Sequence, residues 1–222
     1  RYTTGHLRVN YLNPKSRLPF MAFINMDIKK QLLDNLSEVK KNLLLLLSAN
    51  SCSPINGKLW YQKELFLLAK NNKNLEEEAD FEAYFLGPYS ELAEAEMEEL
   101  VQLGVVNKVG STYALTDVGK DIAHNVLRNA SKSELELVED VKNFFSSLSK
   151  DQLLLFVYIS YSDMAEDSIE FKELLPRRKE IAISMYRQGK ISVGKTAELA
   201  GVSVSEMIEE LKKRKIYKID EV

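Results

Sequence analysis

The most specific chemical spacing lies near the carboxyl end. Gly189-Lys190-Ile191-Ser192-Val193-Gly194-Lys195-Thr196 fits the phosphate-loop pattern G-x-x-x-x-G-K-[ST]. In such a loop, backbone amides and the lysine hold phosphate, the hydroxyl meets magnesium, and a buried strand leads into the run. Here the residues ahead of Gly189 are Met185-Tyr186-Arg187-Gln188, the end of a basic helical pattern, and little chain follows for a parallel sheet. Lys195 and Thr196 are therefore expected on the surface of a helix, without nucleotide chemistry. One cysteine, Cys52, and two histidines, His6 and His124, argue against a disulfide, a cysteine-built zinc site or a histidine triad. The carboxylates of residues 76–99 read as a solvated face. The expectation is a protein with no catalytic residues, no metal and no cofactor.

What remains is binding chemistry. Arg177, Arg178, Lys190, Lys195, Lys212, Lys213 and Arg214 offer phosphate contacts, with Thr196 beside Lys195. Ser203 and Ser205, near the start of the last helix, face base edges in this reading. A net charge of −3 hides the distribution behind it. Residues 1–26 hold four bases and no acid, residues 75–103 hold ten acids and no base, and residues 171–222 hold twelve bases and eight acids. Basic ends favour a polyanion, and the acidic middle repels one.

The elements that position these groups follow from periodicity and caps. Residues 1–26, without period and with Pro14 and Pro19, form a basic arm or disordered tail, with Met21 or Met26 as a natural start. From Asp27 as N-cap, Ile28, Leu32, Leu36, Val39, Leu43, Leu46 and Leu47 share one helical face. Further helices are expected over Lys58–Lys70, over Glu76–Phe85, and from Pro88 to Leu103. Val105–Val109 and Thr112–Leu115 pair as a hairpin, and Thr116 caps the helix after it. Ser133 with Glu136, Ser149 with Gln152 and Ser203 with Glu206 have capping-box spacing. Trp60, Tyr61, Phe66, Tyr84 and Phe85 are assigned to the core. Leu153–Ile159 is apolar around most of its circumference and must be covered, either within the chain or by a second copy. The domain reading is an arm at 1–26, a domain at 27–130, a helical connector with dimerising potential at 131–170, and a last domain at 171–222.

Two stretches carry resemblances. Leu103-Gly104-Val105-Val106 with Tyr113-Ala114-Leu115-Thr116-Asp117-Val118-Gly119-Lys120 resembles the wing and following helix of winged-helix regulators. Leu65-Phe66-Leu67-Leu68, then Phe85-Leu86-Gly87-Pro88-Tyr89-Ser90, is similar to a phrase of archaeal winged-helix proteins and, more loosely, of Panacea-type antitoxins. Together these cover about residues 58–126. Gly189–Gly201 resembles the phrase GKIS-x-x-KAAELAG of small archaeal and bacterial, antitoxin-like helix-turn-helix proteins, with Thr196 in place of the first alanine. Tyr161–Ser168 resembles the lead-in of archaeal members, so this resemblance spans about residues 153–216.

The resemblances imply a mainly α fold: a winged helix with a small β-hairpin, a helical middle segment and a carboxyl-terminal helix-turn-helix. The function expected is a cytoplasmic transcription regulator that binds duplex DNA, or structured RNA, as a homodimer. The winged domain departs from a DNA reader in one respect. Its third helix offers Glu91, Glu94, Glu96, Glu98 and Glu99 and no base. That helix suits a basic protein partner better, which leaves an antitoxin-like or adaptor role, or ribosome association, as alternatives.

Overall fold

The computed structural model describes residues 29–30, 32–165 and 168–216. The basic arm at 1–26, the cap assigned to Asp27 and part of the Tyr161–Ser168 phrase lie outside the described residues. The chain divides into two units, Arg1–Leu36 and Ser37–Val222, and the helices and strands named here belong to the second. Among its described residues are eleven helices and one two-stranded antiparallel hairpin. The helices are α1 (Glu38–Cys52), α2 (Lys58–Ala69), α3 (Lys73–Ala79), α4 (Glu91–Gln102), α5 (Asp117–Asn129) and α6 (Lys132–Ser146). They continue with α7 (Lys150–Ser160), α8 (Ile169–Leu174), α9 (Arg178–Arg187), α10 (Val193–Ala200) and α11 (Val204–Lys213). Strands β1 (Val106–Val109) and β2 (Thr112–Leu115) lie between α4 and α5, with Val106 opposite Leu115 and Val109 opposite Thr112.

Serine starts most of these helices. The first backbone amides of a helix have no intrahelical acceptor, and a side-chain oxygen just ahead of it supplies one. Ser37, Ser90, Ser131, Ser149, Ser168, Ser192 and Ser203 do this for α1, α4, α6, α7, α8, α10 and α11. Asn72 and Thr116 do it for α3 and α5. The expected capping boxes at Ser149–Gln152 and Ser203–Glu206 are complete. Others move. Ser37 caps a new helix, so the single helical face expected from residue 27 to 47 is interrupted. Ser131 rather than Ser133 caps α6, and Ser133 sits inside its first turn. The short helix expected at Glu76–Phe85 is α3, which ends at Ala79 because Asp80 takes a left-handed conformation. Pro88 lies ahead of α4 and not in its first turn, because Ser90 accepts the Ala93 amide and starts the helix at Glu91.

Two helices, each with a stretch apolar around its whole circumference, organise the core. In α1, Leu43 to Leu47 are each at most 1% exposed. They are covered on all sides by α2, α3, α4, α5, α6 and β2. Helix α7 buries Leu153, Leu154, Leu155, Val157 and Tyr158 against α8, α9, α10 and neighbouring segments of the same chain. The apolar surface considered for a dimer is thus spent inside the chain. Gly119 allows α5 to sit on the backbone of β1's lead-in, since a Cβ there would fall 2.1 Å from the Val105 carbonyl oxygen. No helix of the described residues is long and apolar enough to cross a membrane.

The interior also contains charge. Lys63 is buried and donates to the Pro88 carbonyl at 2.6 Å. Burial pushes its ammonium down to about 7. Burial likewise pushes the Glu64 carboxyl up to about 7, although the nearby Lys142 ammonium opposes this. A carboxyl whose folded pKa lies above its unfolded one makes stability fall as pH rises between the two. A lysine whose folded pKa lies below its unfolded one makes stability rise between about 7 and its ordinary value. Stability should therefore pass through a minimum near neutral pH. Urea denaturation of Glu64→Gln from pH 4.5 to 9 should show the fall below pH 7 removed and the rise above it retained. An unchanged profile would show that Glu64 ionises at its ordinary value.

Candidate nucleic-acid interface

Helices α9, α10 and α11 carry the residues expected to contact phosphate and bases. Ser192 caps α10 by accepting the Lys195 amide, and α10 ends at Gly201 in a left-handed conformation with φ 70°. There the Val202 amide donates to the Ala197 carbonyl and the Gly201 amide to the Glu198 carbonyl, satisfying the last turn. Ala197, a small side chain four residues before Gly201, is 1% exposed. Ser203 then starts α11 two residues later. Its hydroxyl donates to Glu206 Oε2 at 2.8 Å and accepts the Glu206 amide at 3.2 Å. The Ser203 amide, donating to the same carboxylate, and then the Ser203 hydroxyl hold Glu206 below the usual carboxylate range.

The ten expected site residues separate sharply. Arg178 is not a free phosphate ligand. Its Nε donates to the Ala200 carbonyl at 2.7 Å, and its guanidinium covers Gly201 where a Cβ would otherwise stand. Arg214 is also committed: it makes paired bonds to Glu180 at 2.7 and 2.8 Å and a third to Glu210 at 2.6 Å. Lys190 turns inward, donating to the Ser147 carbonyl and to Gln152 Oε1, and burial lowers its pKa. Thr196, expected at the surface, is fully buried, and its hydroxyl donates to the Ser192 carbonyl at 2.7 Å. Lys195 pairs with Glu198 at 2.7 Å and lies 5.0 Å from the Phe156 ring centroid. Arg177 pairs with Asp151 at 3.0 Å, but both side chains are largely exposed, and such a pair costs little to break. Ser203 is occupied in its capping box. Ser205, Lys212 and Lys213 are exposed, and their side chains form no ion pair or hydrogen bond among the described residues.

The Gly-Lys-Thr run also has its context. Gly189 follows helix α9, and the run continues into α10, so a helix and not a strand precedes it. Among the described residues no group of three His, Cys, Asp or Glu side chains is placed to hold a metal ion.

Three groups were missed from sequence. Val204 and Ile208 are 47% and 37% exposed on α11, adding apolar surface beside Ser205. Lys179, third in the Arg177-Arg178-Lys179 run, makes no ion pair among the described residues, and its charge reaches Glu180, Glu206 and Glu210. The i, i+3, i+7 spacing of Ser205, Ile208 and Lys212 was the available signal, since it places them on one helical face. Glu209 is the one carboxylate of α11 without a capping or ion-pair role among the described residues.

The acidic helix α4 is likewise more engaged than its sequence implies. Lys40 pairs with Glu96 at 2.7 Å and with Glu99 at 3.0 Å, and Lys58 pairs with Glu94 at 2.6 Å. Glu91 and Glu98 stay exposed.

Residues 159–220 match the uncharacterised protein family UPF0175. The match takes in α8 through α11 and none of the residues before Ile159. No curated protein and no solved structure matches the chain.

The division between committed and free side chains is testable by stability alone. Gly201→Ala would put a methyl group onto the Arg178 guanidinium and force a left-handed alanine, costing about 1–2 kcal/mol. Lys212→Ala and Lys213→Ala should each stay within about 0.5 kcal/mol of the parent in urea denaturation. Equal losses in all three would place the two lysines in the fold rather than on its surface.

Proposed function

We propose that this chain is a non-enzymatic regulatory protein that binds duplex DNA with its carboxyl-terminal helices. In this reading α10, the Gly201 turn and α11 form a helix-turn-helix, and α1 to α5 with the hairpin form a winged helix. The resemblance of Gly189–Gly201 to antitoxin-like helix-turn-helix proteins supports the first assignment, and the order of four helices (the short α3 among them), hairpin and helix supports the second. One observation carries the proposal. On α11, Ser205, Lys212 and Lys213 are exposed and free beside Val204 and Ile208, while the neighbouring Arg178, Thr196 and Arg214 hold the corner rigid. Lysines at the end of a helix suit phosphate, and serine and aliphatic side chains near its start suit base edges and thymine methyl groups. Lys179 and Arg177 extend the basic surface at the start of α9. The acidic α4, even with three of its carboxylates paired, offers no cation of its own and takes no part.

Each phosphate contact contributes a slope of about −0.9 in log affinity against log salt for duplex DNA. Fluorescence anisotropy with a mixed-sequence duplex at three salt concentrations should show binding by the unmodified chain. The Lys212→Ala/Lys213→Ala variant should be weaker on every sequence, with the slope flattened by about 1.8. Ser205→Ala should change preference among sequences and leave the slope alone. Preference for a structured RNA over the duplex would assign the same surface to RNA. Full affinity in the double-lysine variant would remove α11 as the contact surface.

A further inference from the structure

The loop between α3 and α4 presents aromatic rings to solvent where the sequence pattern assigns them to the core. Tyr84 is 52% and Phe85 60% exposed. Tyr84 stacks on Tyr89 with ring centroids 5.1 Å apart, and Phe85 meets Tyr84 edge-on at 4.8 Å. The loop is pinned from several directions. Glu82 and Tyr89 exchange backbone hydrogen bonds at 2.9 Å, and the Gly87 amide donates to the Tyr84 carbonyl at 2.8 Å. Lys63 holds the Pro88 carbonyl from below, and the Ser168 hydroxyl donates to the Phe85 carbonyl at 2.8 Å. Exposed rings on a backbone held this firmly form a prepared contact surface.

A cleft of about 440 Å³ opens beside these rings. Asp80, Glu82, Tyr84, Tyr89, Glu91 and Leu92 line it, and no base does. Among the described residues Asp80, Glu82 and Glu91 make no ion pair, whereas the neighbouring Glu94 is already neutralised by Lys58. Lys58 already lies 5.4 Å from the Tyr89 ring centroid, so an external cation is left the Tyr84 ring and the unpaired carboxylates around it, and Phe85 and Leu92 at the margin favour apolar neighbours of that cation. Nucleic acid would meet three uncompensated negative charges.

We propose that this cleft docks a basic segment of a partner protein, with a lysine or arginine side chain over Tyr84 and flanking apolar side chains on Phe85 and Leu92. The site is independent of the DNA-binding surface on α11. The probe is a fluorescent acetylated hexapeptide amide, Ala-Leu-Arg-Lys-Leu-Ala, beside its counterpart with glutamine at both basic positions, titrated into the full chain. The basic peptide should bind and the glutamine peptide should not. Glu82→Gln/Glu91→Gln should weaken binding about fivefold or more, as two exposed charge pairs allow. Tyr84→Ala/Phe85→Ala should do the same without altering the urea midpoint, and Glu98→Gln, an exposed acid elsewhere on α4, should change nothing. Failure of the basic peptide to bind at millimolar concentration would overturn the proposal. So would unchanged affinity in either double variant, or an equal loss in Glu98→Gln.

Discussion

A helical stretch that is apolar around its whole circumference has to be enclosed, and the described residues contain two of them. Leu43 to Leu47 in α1 and Leu153 to Tyr158 in α7 leave no polar stripe to face water. Each can be stable only at the centre of a ring of other elements, because one exposed Leu side chain forfeits roughly 1.5–3 kcal/mol of burial. The rest of the fold follows from that requirement. Six elements surround α1, and α8, α9 and α10 pack on α7. The two centres are also joined directly: Phe66 of α2 meets Tyr161 edge-on at 5.0 Å, and Ser168 bonds both Tyr158 and the Phe85 carbonyl. The α10–α11 corner is built on the second centre, so its orientation is fixed by α7.

Much of this was legible because caps are local chemistry. Ser149 with Gln152, Ser203 with Glu206, and Thr116 ahead of Asp117 need only their own neighbours to act, and each does so. The failures have equally local causes. Ser131-Lys132-Ser133-Glu134-Leu135-Glu136 contains two overlapping serine-to-glutamate pairs, and spacing alone does not choose between them. Pro88 is compatible with a first helical turn, but Ser90 captures the Ala93 amide two residues later. Sequence order also hides direction. Thr196 stands next to a half-buried lysine yet is itself fully buried, because its hydroxyl folds back to the Ser192 carbonyl.

Charge was the least transferable reading. Summed along the chain, residues 75–103 repel any polyanion. In three dimensions Glu94, Glu96 and Glu99 answer Lys40 and Lys58 from residues 27–74, a segment with eight bases and four acids. The two segments partly cancel where they touch. At the carboxyl end the cancellation runs the other way: Arg178, Arg214 and Lys190, three of the expected phosphate ligands, are consumed by carbonyls and carboxylates of the fold. Arginine suits that use, since its planar fork satisfies several acceptors at once, whereas lysine on a flexible stem is easily left in solvent.

That difference sharpens where recognition chemistry can reside. Groups that bind a partner must be free of competing partners in their own chain, or the binding energy is spent breaking internal bonds. Arg178 could reach a phosphate only by releasing the Ala200 carbonyl and uncovering Gly201, which would loosen the corner that aims α11. Arg214 would have to leave two carboxylates unpaired. Among the described residues Lys212 and Lys213 face no such competition, and neither do Asp80, Glu82 and Glu91 at the aromatic cleft. Residues that build the frame and residues left over for contact are thus different residues of the same charge, and only the three-dimensional accounting of partners tells them apart.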